Sequence, residues 1–195
     1  SQSVKGNQAD TAVVVGIEEY PQISTVPFAK ADSKAFYGWL RTSGVANPAN
    51  IHLLQDWEAE RKDILSALED AKKNVGAGGR VWFYFAGHGI AHPNTGERRF
   101  VMGSGGPDSY AERSIGFDEI KNAVAGTPLT VVADACFNGK GRSGESITGG
   151  KRFMVAVEDL PSSSGDDVES WFSVTGGESS SPLEGAQQGA FTYFL

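Results

Sequence analysis

Cysteine is almost missing from this sequence: one occurs in 195 residues, Cys136. A single thiol excludes an internal disulfide and a thiolate zinc cage. It leaves Cys136 as either a small buried residue or a reactive group. Long apolar runs are also lacking. None approaches the roughly 20 residues of a membrane-crossing helix, and no secretory signal precedes the first apolar segment. A cytoplasmic protein without a membrane partner is the expectation. Basic charge is the third shortage, with 17 Lys and Arg against 24 Asp and Glu for a net charge of −7. Such a surface repels nucleic acid and anionic lipid.

Glycine, by contrast, is abundant. Its 25 residues are about twice the usual share and foretell tight turns and long loops. With 39% hydrophobic and 21% charged residues, the chain can bury one substantial core and suits a single domain. It starts at Ser1 and stops at the apolar, uncapped Phe191-Thr192-Tyr193-Phe194-Leu195. We therefore expect residues 1–195 to be one domain excised from a longer protein.

Ala12 to Ile17 reads as a strand covered on both faces, because it is apolar without alternation; Ile51 to Leu54 reads as a second strand, the very apolar Val81 to Phe85 as a third and Leu129 to Ala133 as a fourth, buried one. Helical periodicity lies between them. A helix after Pro27 puts Ala29, Ala31, Ala35, Phe36, Trp39 and Leu40 largely on one face and ends near Gly44. Over residues 58–75, Ile64, Leu65, Leu68, Ala71 and Val75 share a stripe, and a short helix runs from Phe117 to Val124. Weaker strand signals cover Arg99 to Met102, Phe153 to Val157 and Trp171 to Thr175. Alternating strand and helix define an α/β class with a mostly parallel sheet and helices on both faces.

Chemistry concentrates where two of these strands end. One runs into Gly87-His88-Gly89 and the other into Asp134-Ala135-Cys136. Ligands of open parallel sheets bind beyond the carboxyl ends of the strands. If the two strands are neighbours in register, imidazole and thiol face one another there. Each residue alone reads more simply as a turn histidine or a small hydrophobe; together they read as a nucleophile and its base. His52 reads as structural, and His92 as a loop residue near the same edge.

These motifs resemble the caspase-like cysteine peptidases, and metacaspases and bacterial orthocaspases more than animal caspases. The resemblance runs through Val13-Val14-Val15-Gly16-Ile17, Phe28-Ala29-Lys30-Ala31-Asp32, Gly87-His88-Gly89, Asp134-Ala135-Cys136-Phe137-Asn138-Gly139 and Gly189-Ala190-Phe191-Thr192-Tyr193. The interval 136 − 88 = 48 fits the spacing of about 50 residues in caspases. The resemblance implies a caspase–haemoglobinase fold and a catalytic domain in which Cys136 is the nucleophile and His88 the general acid and base. The N–H groups of Gly89 and Cys136 would form the oxyanion hole, with no third catalytic residue.

The resemblance also places Asp134 and Asp32 in the pocket for the residue before the cut, where a carboxylate favours a cation. Protein or peptide substrates with Arg or Lys at the cleavage site are therefore expected. Without the resemblance, Asp134 reads as a strand-end residue bonding local N–H groups and Asp32 as a solvated helix residue. Glu18 and Glu19 fall at the rim. Two positions depart from the metacaspase pattern: Ala86 replaces a usual serine, and Phe137-Asn138-Gly139 replaces His-Ser-Gly.

Arg142, Lys151 and Arg152 lie in the glycine-rich stretch after the cysteine and are candidate self-processing sites. The family raises calcium as an activator, although the sequence carries no EF-hand loop, and it suggests a monomer. Two other readings of the same residues are an inactive caspase-like scaffold and a peptide ligase related to legumain.

Overall fold

The computed structural model describes residues 8–92, 94–106, 109–110, 112–135, 137, 168–172, 182–183 and 188–189. In chain order the elements are β1 (Asp10–Gly16), α1 (Ala29–Ser43), β2 (Ala46–Gln55), α2 (Arg61–Asn74), β3 (Val81–Ala86), β4 (Gly89–Ala91), β5 (Arg98–Val101), β6 (Ser114–Gly116), α3 (Phe117–Ala123), β7 (Leu129–Asp134), β8 (Val168–Phe172), β9 (Pro182–Leu183) and β10 (Gln188–Gly189). Strands β2-β1-β3-β7-β8, in that spatial order, form a five-stranded sheet with every pairing parallel. A small antiparallel sheet, β4-β5-β6, and the β9–β10 pair complete the strands described.

The central strands are the apolar runs of the sequence, and their side chains divide by parity. Thr11 donates its hydroxyl to the Ala71 carbonyl at 3.0 Å, so α2 covers that face. Gly16, five residues on and therefore on the opposite face, lies under α1. A Cβ there would come within 2.2 Å of Ser33 Oγ and 2.7 Å of the Ala29 carbonyl. Tyr84 stacks on Phe36 of α1 with centroids 4.4 Å apart, while Phe83 and Phe85 turn the other way to Phe100 of β5, at 5.6 and 4.7 Å. Helices thus cover both faces, with the small sheet on the α2 side.

α1 ends where expected, with Gly44 in the left-handed region at φ 72°. Its buried face differs from the apolar stripe. Ala29, Asp32, Ser33, Phe36 and Leu40 are inside, whereas Ala35 and Trp39 are exposed. The face turned inward therefore includes Asp32 and Ser33 in place of Ala35 and Trp39. Trp39 instead lines a groove with Trp82, Val132 and Trp171. β8 starts three residues earlier than the sequence suggests, and the strand expected at 153–157 lies outside the described residues. Among the described residues no helix is long and apolar enough to cross a membrane.

Candidate active site

At the carboxyl edge of the large sheet, β3 and β7 end side by side. Phe85 pairs with Ala133 and Ala86 with Asp134, an offset of 134 − 86 = 48, which is also the interval between His88 and Cys136. Two main-chain bonds continue the pairing past the sheet: Gly87 N–H donates to the Asp134 carbonyl at 3.4 Å, and Ala91 N–H to the Phe137 carbonyl at 3.1 Å. The segment carrying His88 is therefore tied to residues 134 and 137, at the end of β7 and just beyond it. Cys136 itself lies outside the described residues, as do Arg142, Lys151 and Arg152. Its neighbours Ala135 and Phe137 are buried. The Phe137 ring meets Phe100 edge-on at 5.5 Å, and the buried Arg98 guanidinium sits over it at 5.8 Å.

His88 is 2% exposed. Its Nε2 lies 2.7 Å from the Ser24 carbonyl oxygen. A carbonyl can only accept, so Nε2 carries the proton and Nδ1 is the basic nitrogen of the neutral ring. The main-chain N–H of His88 donates to the Tyr20 hydroxyl at 3.0 Å, and that hydroxyl donates to the Val101 carbonyl at 3.2 Å. Ser24 and Tyr20 belong to the β1–α1 loop. Sequence reasoning found no group to orient the histidine, because a main-chain carbonyl leaves no residue signature.

That loop is fastened from beneath by Asp56, buried at the end of β2. Its Oδ1 accepts the N–H groups of Glu18 and Glu19 at 2.9 and 3.1 Å, and its Oδ2 meets Lys30 Nζ at 2.9 Å. Burial alone would raise the Asp56 pKa; the Lys30 ammonium and the two N–H donors outweigh it and hold the carboxyl below the usual range. The same hydrogen bond raises the Lys30 pKa. Asp56 adopts φ 46°, the left-handed conformation that Asp tolerates better than most residues.

Gly89 opens β4 opposite Phe100. The bond from Val101 N–H to the His88 carbonyl at 2.9 Å makes Gly89 and Phe100 a pair without mutual ladder bonds. The Gly89 N–H therefore points away from β5, on the side of the Ala91 N–H that reaches Phe137. A donor directed toward the 135–137 segment is what an oxyanion there would require.

The two acidic candidates share a face. Gly16, Ala86 and Asp134 form one row across β1, β3 and β7, and register partners in parallel strands point the same way. Gly16 lies beneath the first turn of α1, so this is the face where α1 begins. Asp134 is 1% exposed and Asp32 0%. The solvated alternative for Asp32 is thus excluded. Ala86 stands between Gly16 and Asp134 in that row.

The remaining histidines have other partners. His52 Nε2 pairs with Asp70 on the outside, 3.0 Å away, and His92 Nδ1 accepts the Asn94 N–H within a turn. Glu18 accepts the Lys30 N–H at 3.2 Å. Among the described residues no three His, Cys, Asp or Glu side chains gather in a way that could hold a metal ion.

A parallel sheet with helices on both faces, and a glycine-flanked histidine beside the strand that leads into the cysteine, define a caspase-type α/β domain. The caspase-domain family matches residues 9–195, and the chain belongs to that family of cysteine peptidases. No curated protein matches it. Among solved structures, a structural-genomics target from Geobacter sulfurreducens is similar with a TM-score of 0.52 at 19% identity. That likeness covers 65% of this chain and 50% of the other. It speaks for the fold alone.

Proposed function

We propose that this domain is an endopeptidase that cleaves after Arg or Lys, in the manner of metacaspases and orthocaspases, through an acyl-enzyme on Cys136. The observation that carries the reading is the β3–β7 register, which brings the two chemically loaded segments to one edge. In this mechanism the Cys136 thiol gives its proton to His88 Nδ1, and the thiolate attacks the scissile carbonyl carbon. The oxyanion is received by the N–H groups of Gly89 and Cys136. Collapse breaks the C–N bond as the imidazolium protonates the departing amine, leaving a thioester. His88 then takes a proton from water, whose oxygen attacks the thioester, and the thiol is restored as the acid leaves. Ser24 holds Nε2–H throughout, so the same ring nitrogen serves both halves.

The preference for Arg or Lys rests on Asp134 at the end of β7 and Asp32 in the first turn of α1, both buried. A guanidinium or ammonium entering beside Ala86 would meet charge of the opposite sign in a water-poor recess. A fluorogenic peptide ending in Arg is expected to be hydrolysed at least tenfold faster than its Asp equivalent, and Cys136→Ala to abolish both signals. Faster turnover of the Asp peptide would overturn the specificity, and turnover surviving Cys136→Ala the mechanism.

The same preference extends to the protein's own chain at Arg142, Lys151 and Arg152. Two fragments on a denaturing gel, absent in Cys136→Ala, are expected; a pattern unaffected by that substitution refutes self-cleavage.

A further inference from the structure

We propose that Tyr20 is a positioning residue for the histidine: through its hydroxyl and ring it fixes the main chain and plane of His88, and with them the direction of Nδ1. The inference rests on the reading of His88 as the base for Cys136.

Three contacts from one loop converge on His88. The Ser24 carbonyl fixes Nε2 at 2.7 Å, the Tyr20 hydroxyl fixes the main-chain N–H at 3.0 Å, and the Tyr20 ring lies 4.7 Å from the imidazole, inclined by 55°. The first contact alone leaves the ring free to pivot about Nε2. The other two remove that freedom, one by anchoring the backbone from which the side chain springs and one by bearing on the ring itself. Tyr20 is 5% exposed, and its hydroxyl is used in both senses, accepting from His88 and donating to the Val101 carbonyl at 3.2 Å. Val101 N–H in turn donates to the His88 carbonyl at 2.9 Å. Tyr20, His88 and Val101 therefore form a closed hydrogen-bonded ring joining the β1–α1 loop, the β3–β4 connection and β5.

Gly87 completes the arrangement. A Cβ at that position would stand 2.7 Å from the Tyr20 hydroxyl and 2.8 Å from Phe85 Cζ. The glycine before the histidine thus leaves room for the phenol. A misplacement of about 1 Å in a reacting group can cost 10²-fold in rate, so a clamp at this point acts on turnover without touching substrate.

The experiment exploits the single cysteine of the chain. Alkylation of Cys136 by iodoacetamide, without substrate, is timed in the wild type, Tyr20→Phe, Gly87→Ala and His88→Ala; peptide kinetics and urea midpoints are measured alongside. Tyr20→Phe keeps the ring and loses the hydroxyl. It is expected to slow alkylation about 10-fold and kcat by roughly 10- to 100-fold, with KM within about twofold. Gly87→Ala, which displaces the hydroxyl, should reproduce both effects, and the double variant should lose little more than either single one. If His88→Ala alkylates as fast as the wild type, the histidine is not the base and the underlying reading fails. If alkylation depends on His88 yet is unchanged in folded Tyr20→Phe or, should that variant not fold, in Gly87→Ala, the positioning role is overturned.

Discussion

Asp134 and Asp32 are carboxylates almost without contact with water, and a buried charge is tolerated only among donors or beside a cation. At the proposed subsite the arriving Arg or Lys would supply part of that compensation, so the effect of removing the charge should fall on substrate selection. Asp134→Asn keeps the shape and the acceptor oxygen. It is expected to lower kcat/KM for an Arg peptide by about 2–3 kcal/mol, roughly 30- to 150-fold, while the low rate on a neutral peptide stays within a few-fold. Comparing those two kcat/KM values checks it; equal losses on both peptides would mark Asp134 as structural. The two carboxylates could be singled out through the family resemblance alone, and the burial of Asp32 was not legible, since by its own pattern it read as a solvated helix residue. Ser24 was not, since any residue there presents the same carbonyl, and Tyr20 was not, because its hydroxyl is read by main-chain groups of residues 68 and 81 positions away.

Among the elements, α1 decides how the edge is built. Its first turn rests directly on Gly16, with Ser33 Oγ bonded to the Lys30 carbonyl and receiving the Gln55 amide at 2.8 Å. Any side chain at 16 drives this turn outward. Gly16→Ala is expected to cost about 1–3 kcal/mol through overpacking, seen as a lower urea midpoint, and to weaken discrimination between Arg and Asp peptides because Asp32 moves with the turn. Strand β2 runs from Ala46 to Gln55 and so extends well beyond the apolar Ile51 to Leu54 that marked it, whereas β1, β3 and β7 could be read in advance as unbroken apolar runs and α2 by its stripe. β4 and β6 could not: Gly89–Ala91 and Ser114–Gly116 are three residues each, too short for any alternation, and they are strands only because β5 lies between them. The apolar stripe on α1 misled because it counted Trp39 as core, whereas the helix buries Asp32 and Ser33 in its place. Tertiary packing of the site overrode the amphipathic pattern there.

For the molecule as a whole, two ion-paired carboxylates tie separate layers together. Asp56 joins β2 to the β1–α1 loop and to α1. Glu119 of α3 joins Arg61 of α2 and Arg99 of β5; burial alone would raise its pKa, but the Gly116 N–H and the two arginines bring it below the usual value. Both groups bind protons less readily when folded. Their contribution is therefore complete above the ordinary carboxylate range and is lost as pH falls through the depressed folded values. The urea midpoint is expected to drop on going from about pH 5 to pH 3, and Asp56→Asn should lower it at pH 7 while making that acid decline shallower. A midpoint independent of acid would contradict the assignment. At the alkaline end the direction reverses: Lys30, raised by Asp56, and Tyr110, pushed up to about 12 by burial, stabilise the fold until pH climbs through their folded values.

The alignment of β3 with β7 makes one part of the chain tolerant and another intolerant of change in length. Between Ala86 and Asp134 the polypeptide detours through a three-stranded flap and a short helix, and the turns of that excursion do not set the register of the two strand ends. Residues gained or lost in its turns would be absorbed locally. A single residue added within β7 would instead invert the parity of everything after it, sending the Asp134 carboxylate to the α2 side. Drift in length among descendants of this domain should accordingly accumulate in the turns of the flap, while the six-residue strand keeps its length.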